Sequence, residues 1–166
     1  MTRPLIRPVA LPLDMDGGLF LCAMPGREAP LTQSFFAMQN AGISQLICLC
    51  GPVEVTAKSP DYARALAEGL GQIQVWVCPI ADYSVPADSV SFDELVVEAS
   101  AGLHRGHSIL VHCNAGIGRT GLFAICLLVA SGLSLEEARR LILAAGSGPE
   151  TPEQEAFVTK FAAHTA

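Results

Sequence analysis

Positive charge is scarce in this chain. Only 16% of its 166 residues are charged, and ten lysines and arginines face sixteen aspartates and glutamates, for a net charge of −6. That balance excludes recognition of nucleic acid or of an anionic membrane surface by bulk electrostatics, so any anion must be captured by a local site. No apolar run approaches the ~18 to 20 residues that cross a bilayer. The longest, residues 122–130, reads as a buried helix. Pro4, Pro8 and Pro12 interrupt the first residues, which leaves no unbroken signal-peptide core, and the expected location is cytoplasmic. The cysteines Cys22, Cys48, Cys50, Cys78, Cys113 and Cys126 show no paired CxxC spacing and no nearby pair of histidines, so a zinc module is not expected. Neither a metal nor another cofactor is expected. The sequence also lacks internal repeats, low-complexity tracts and linkers.

What it has instead is apolar bulk. A hydrophobic content of 51% over this length supports one domain with a sizeable core rather than disorder. After a proline-rich arm, residues 1–17, the pattern predicts strands over 18–23, 45–50, 73–78 and 108–111. Helices are predicted over 31–40, 61–70, 91–103, 119–130, 134–145 and 151–163, the fifth of them opened by the capping-box pair Ser134 and Glu137. Short, nearly all-apolar strands alternating with helices predict a single α/β domain, 1–166, with a central, mainly parallel sheet of about four to five strands flanked by helices. In such sheets ligands collect at the carboxyl ends of the strands.

One such end carries the chemistry. The predicted strand 108–111 runs into His112-Cys113-Asn114-Ala115-Gly116-Ile117-Gly118-Arg119-Thr120-Gly121 and then into a helix. Backbone N–H groups of a glycine-containing loop, with the positive end of the following helix, form a concave anion site. A thiol at its mouth, close to a guanidinium, is placed to act as a nucleophile. Cys48, Cys78 and Cys126 lie in apolar runs and read as small hydrophobes. His104, His107 and His164 read as surface residues.

These residues resemble the signature HCx5R[ST] of the cysteine-dependent protein tyrosine phosphatase superfamily. The stretch Cys78-Pro79-Ile80-Ala81-Asp82-Tyr83-Ser84-Val85-Pro86 resembles the general-acid loop of its dual-specificity branch. The phrase Leu21-Cys22-Ala23-Met24-Pro25-Gly26-Arg27 and the strand ending in Cys50 look like the kinase-associated, cyclin-dependent-kinase-inhibitor-3 type. The likeness runs from about residue 18 to residue 163 and implies a phosphatase-like fold.

It also implies roles. Cys113 attacks phosphorus and forms a phosphocysteine. Arg119 offers a planar fork to two phosphate oxygens, and the backbone N–H groups of Asn114, Ala115, Gly116, Ile117, Gly118 and Arg119 bind the rest. Asp82 protonates the leaving oxygen and then takes a proton from water, with Asp88 held in reserve. Thr120 hydrogen-bonds the departing thiolate, and His112 orients the loop. The expected substrate is a phosphorylated protein, on tyrosine and on serine or threonine, and the expected product is phosphate ion.

Two residues keep two readings each. Thr151-Pro152-Glu153-Gln154 is a helix-capping pattern, yet Gln154 also resembles a glutamine that positions hydrolytic water in some members of the superfamily. Cys50 is either a core cysteine or a redox partner for Cys113. A nucleotide-binding loop fails at its defining positions, where Cys113 and Arg119 stand in place of glycine and lysine. Two alternatives stay open: a phosphoinositide or small-molecule phosphatase, which the uncharged Asn114, Ala115, Ile117 and Gly118 disfavour, and a catalytically weak phospho-binding adaptor.

Overall fold

The computed structural model describes residues 3–165; the first two residues of the proline-rich arm and residue 166 lie outside that range. Five strands form one sheet in the order β1-β2-β5-β3-β4, where β1 is Arg7–Pro8, β2 Gly18–Cys22, β3 Gln45–Cys48, β4 Gln74–Val77 and β5 Ser108–His112. β2, β5, β3 and β4 run parallel, and β1 joins the edge antiparallel, with Arg7 opposite Leu21. The arm predicted to carry no element thus supplies an edge strand. Prolines there confine it to an edge, where a missing N–H costs no ladder bond.

The α-helices are α1 Leu31–Asn40, α2 Pro52–Lys58, α3 Pro60–Glu68, α4 Ser89–His104, α5 Gly118–Ala130, α6 Leu135–Ala144 and α7 Pro152–Thr165. Helix α2 was not predicted. Gly51-Pro52 reads as the stop of a strand, but here Gly51 is the N-cap in extended conformation and Pro52 the first helical residue, a position that suits proline because its missing N–H would be unpaired anyway. The expected capping by Ser134 forms, its hydroxyl accepting from Glu137 N at 3.2 Å.

β5 is central, and β2 and β3 flank it so that Cys22 and Cys48 both lie level with His112. Three carboxyl ends therefore meet at one place. Helix α5, buried from Gly118 to Val129, is sandwiched by α4, α6 and α7. Phe92 of α4 packs edge-to-face on Phe123 and Phe157, at ring-centroid distances of 5.5 and 5.3 Å, which fixes α4 and α7 against α5. The N-terminus of α5 is thereby held under the end of β5. Among the described residues no helix is long and apolar enough to cross a membrane.

Candidate active site

Residues 113–117 connect β5 to α5, and their backbone groups are turned by identifiable partners. Cys113 O accepts from His112 Nδ1 at 3.0 Å, and Asn114 O from Met24 N at 3.0 Å. Gly116 O accepts from Ser147 Oγ and Arg7 Nη2, each at 2.6 Å, and Ile117 O from Gly121 N at 2.7 Å and Gly148 N at 3.2 Å. A trans peptide unit is planar, so a carbonyl tied to one side sends the next N–H to the other. The N–H groups of Asn114, Ala115, Ile117 and Gly118 accordingly face away from these partners. Gly116, at φ 73°, lies against the carbonyl of Cys22 where a Cβ would collide. Only glycine lets the loop pass this close to β2.

Cys113 sits at the centre of this turn, 2% exposed. Its Sγ accepts from Gly116 N at 3.3 Å and from Thr120 Oγ1 at 3.1 Å. Both donors favour negative charge on sulfur. His112 is fully buried, with Nδ1 on Cys113 O and Nε2 2.7 Å from the Tyr62 hydroxyl. Since the carbonyl can only accept, Nδ1 carries the proton and Nε2 takes the phenol's. Burial pushes the Tyr62 phenol well above its ordinary value, which keeps it a donor. Tyr62 was not singled out in the sequence.

Arg119 is the largest fully buried side chain. Its Nη1 and Nη2 meet the two carboxylate oxygens of Glu54 at 2.8 Å each, and Nη1 also donates to Ile80 O at 2.9 Å. Burial alone would lower the guanidinium pKa, but the Glu54 carboxylate holds it above the usual arginine value. Arg119 in turn holds the Glu54 carboxyl below the usual range. Glu54 lies in the unpredicted α2. Because it occupies the outer edge of the fork, two phosphate oxygens cannot both be taken there. The Nε, buried and without an acceptor among the described residues, provides the remaining edge together with Nη2.

Asp82 comes to the same guanidinium, with Oδ1 3.1 Å from Arg119 Nη2. It stands in a turn closed by Ser84 N on Ala81 O at 3.0 Å, with Tyr83 at φ 59° and Tyr83 N donating to Asp82 Oδ1 at 3.0 Å. Asp88, the reserve acid, is instead the N-cap of α4 and accepts from both N and Oγ of Ser91, which lowers its pKa. Gln154 is fully buried. Its Oε1 accepts from Glu150 N at 2.8 Å and its Nε2 donates to Ser84 O at 2.9 Å, while its own N–H is capped by Thr151 Oγ1 at 3.1 Å. The hydroxyl half of the capping box is present; the amide half bonds one residue earlier and reaches the acid loop. Cys50 is a free, buried thiol just past β3, and a hydrogen bond to Cys48 together with burial raises its pKa. Such a thiol is a slow nucleophile. His107, expected on the surface, is half-buried against Ser44.

A family model described as "Polymorphic toxin system, DSP-PTPase phosphatase" matches residues 22–133, from the end of β2 through the loop and α5. The chain belongs to this DSP-PTPase family. Among curated proteins the DSP-PTPase chain is similar to human cyclin-dependent kinase inhibitor 3, with 29% identity over 116 residues, 67% of this chain and 54% of the relative. The chain thus spans about half the length of that curated relative. Of solved structures, a kinase-associated phosphatase whose catalytic-site cysteine is replaced by serine superposes with a TM-score of 0.80 at 25% identity, over 99% of this chain and 98% of that one. The human tyrosine phosphatase-like serine/threonine/tyrosine-interacting protein gives 0.69 at 21% identity (88% and 91% covered), and PTPMT1 in complex with PI(5)P gives 0.72 at 16% (98% and 97%). These last two share the fold with this DSP-PTPase.

Proposed function

We propose that the protein hydrolyses phosphate monoesters on protein tyrosine, and on serine and threonine, through a phosphocysteine on Cys113. The observation that carries this reading is a juxtaposition: a buried thiol that accepts from Gly116 N–H and Thr120 Oγ1 and, in the first turn of the helix that follows its loop, a buried guanidinium with a free Nε to which a carboxyl group is also bound. Charge in the transition state of phosphoryl transfer spreads over three equatorial oxygens, and catalysis is chiefly positioning and electrostatic stabilisation. The loop N–H groups and the Nε–Nη2 edge of Arg119 supply both. Cys113 Sγ forms a bond to phosphorus as the ester P–O bond breaks, and Asp82 gives its proton to the leaving oxygen. In the second step Asp82, now a carboxylate, takes a proton from water as its oxygen bonds phosphorus. The P–S bond then breaks, phosphate ion leaves, and Thr120 Oγ1 hydrogen-bonds the released thiolate.

The phosphate dianion competes with Asp82 for Nη2, so substrate binding itself frees the acid to meet the leaving group. Asn114, Ala115, Ile117 and Gly118 bring no charge to the loop. A protein phosphoester with a single phosphate therefore suits it better than a polyphosphorylated lipid headgroup.

The test compares an activated aryl phosphate with a phosphoserine peptide. Cys113→Ser abolishes turnover of both. Asp82→Asn slows the peptide by about 10²- to 10⁴-fold, the span of general acid catalysis, and the aryl ester much less. Equal losses on the two substrates would remove Asp82 from its role, and a Cys113→Ser protein as active as the parent would remove the proposal.

A further inference from the structure

The edge strand β1 places a cation behind the anion loop. Arg7 is 6% exposed, and among the described residues no carboxylate lies within ion-pair distance of it. Its Nη1 donates to Ala145 O at 2.6 Å and to Ser147 Oγ at 3.1 Å, and its Nη2 donates to Gly116 O at 2.6 Å. Burial and the nearby Arg3 hold its pKa below the usual arginine value. A buried guanidinium paired only with dipoles is costly. A core stabilised by hydrophobic contact alone would not keep one.

The carbonyl that it grips is the one that sets the loop. Gly116 O takes two donors at 2.6 Å, Arg7 Nη2 and Ser147 Oγ, and the Ser147 hydroxyl is itself held by Arg7 Nη1. With that carbonyl drawn outward, planarity points Ile117 N–H to the opposite side, towards the thiol's face of the loop. Positive charge behind the peptide also polarises it, so the N–H becomes a stronger donor to an anion. The close approach is built in at Gly146, where φ is 82° and a Cβ would meet Nη2 of Arg3 at 2.7 Å and Nη1 of Arg7 at 3.0 Å.

We propose that Arg7 and Ser147 form a brace that orients and polarises the Gly116–Ile117 peptide for oxyanion binding, making Arg7 a positioning residue supplied by the N-terminal edge strand. This rests on the phosphatase reading above. Arg7 touches no reacting atom; it acts through the peptide.

The experiment measures inorganic phosphate affinity by calorimetry, kcat and KM for an aryl phosphate, and thermal midpoint, in Arg7→Met, Arg7→Lys, Ser147→Ala and Arg3→Met. Losing one preorganised oxyanion donor costs up to about 10²- to 10³-fold in kcat. Arg7→Met, which leaves the Ser147 hydroxyl on the carbonyl, is expected to lower kcat by at least about tenfold and to weaken phosphate binding in parallel. Arg7→Lys restores part of both, because it keeps the charge and one donor. Ser147→Ala shows a smaller loss of the same kind with the charge intact, and it keeps the proposal testable if Arg7→Met fails to fold. Arg3→Met, which loses a bond to Gly146 O and removes a neighbouring charge from Arg7 but leaves every donor to Gly116 O in place, is the control and is expected to lower neither quantity.

Folded Arg7→Met and Ser147→Ala proteins with unchanged kcat and phosphate affinity would overturn the brace. So would losses that vanish on cooling in step with stability, since those belong to a structural role only. A parent protein that neither binds phosphate nor hydrolyses the ester would instead overturn the phosphatase reading, and the brace with it.

Discussion

Replacing Glu54 by glutamine removes one charge from the pair that orients Arg119 and leaves nearly the same shape. Both guanidinium nitrogens at the outer edge sit 2.8 Å from a Glu54 oxygen; Arg119 is 1% exposed and Glu54 24%. Breaking a buried ion pair by altering one partner costs ~3–5 kcal/mol, because the other charge stays buried without compensation. Here Arg119 keeps Ile80 O and the Asp82 carboxylate, and Glu54 is partly wet, so about 2–3 kcal/mol is the reasonable figure. At roughly 2–4 °C per kcal/mol for a domain of this size, Glu54→Gln lowers the thermal midpoint by about 4–12 °C near neutral pH. The pH dependence sharpens the test. The Glu54 carboxyl binds protons less well folded than unfolded, because Arg119 lowers its pKa from the ordinary 4.5. Its stabilisation is therefore fully present above about pH 4.5 and is lost as pH falls through the lower folded value. Thermal denaturation of both proteins from about pH 7 down to about pH 3 should show the gap closing on acidification. No gap at neutral pH, or a gap that persists unchanged in acid, would refute the claim that this ion pair anchors Arg119.

Two further substitutions probe the supports of the loop and of the acid. Tyr62→Phe strips the 2.7 Å partner from the fully buried His112 Nε2 and should cost about 1–3 kcal/mol in a denaturant titration, the penalty of an unsatisfied buried group; an unchanged midpoint would mean that water replaces the phenol. Gln154→Leu releases Ser84 O from its 2.9 Å bond and should reduce kcat more for a phosphoserine peptide than for an aryl phosphate, since only the peptide depends on a well-placed Asp82; equal reduction would assign Gln154 to the hydrolytic water instead.

Much of the fold could be read in advance because its signals are local. Ser108-Ile109-Leu110-Val111 is a continuous apolar run and becomes the central strand, and the apolar stretch after Thr120 becomes the helix buried among three others. The helix at Pro52 could not be separated from a turn, because Gly-Pro is both a strand stop and a helix start and only the later burial of Val55 decides between them. Arg7-Pro8 gave no strand signal of its own. Two residues form a strand there because Leu21 and Phe20 are already ordered beside them. Asp82 is favoured over Asp88 in the sequence only by its place in the stretch that resembles an acid loop, and the structure adds the physical difference: Ser91 claims Asp88 as a cap while Arg119 reaches Asp82.

The site divides along the same line. The proposed nucleophile, the proposed phosphate-binding N–H groups and Arg119 fall within one short loop and the first turn of α5, since a concave array of consecutive peptides is a local object that a motif can record. What holds these groups and the acid loop in place is not local: Arg7 stands 109 residues from Gly116, Glu54 65 from Arg119, Tyr62 50 from His112 and Gln154 70 from Ser84. The first three of these partners satisfy a carbonyl, guanidinium or ring nitrogen that the motif leaves on its outer side, and Gln154 does the same for the carbonyl of Ser84 in the acid loop. An anion loop must present N–H groups inward, and every inward N–H obliges a neighbouring carbonyl to face the core, where it needs a donor. The motif therefore implies a set of outer donors and acceptors whose number follows from backbone geometry, although their positions in the chain do not. The outward carbonyls of Cys113, Asn114, Gly116 and Ile117 take donors from His112, from Met24, from Arg7 with Ser147, and from Gly121 with Gly148; Met24, Arg7, Ser147 and Gly148 lie outside the motif, where no spacing rule would select them.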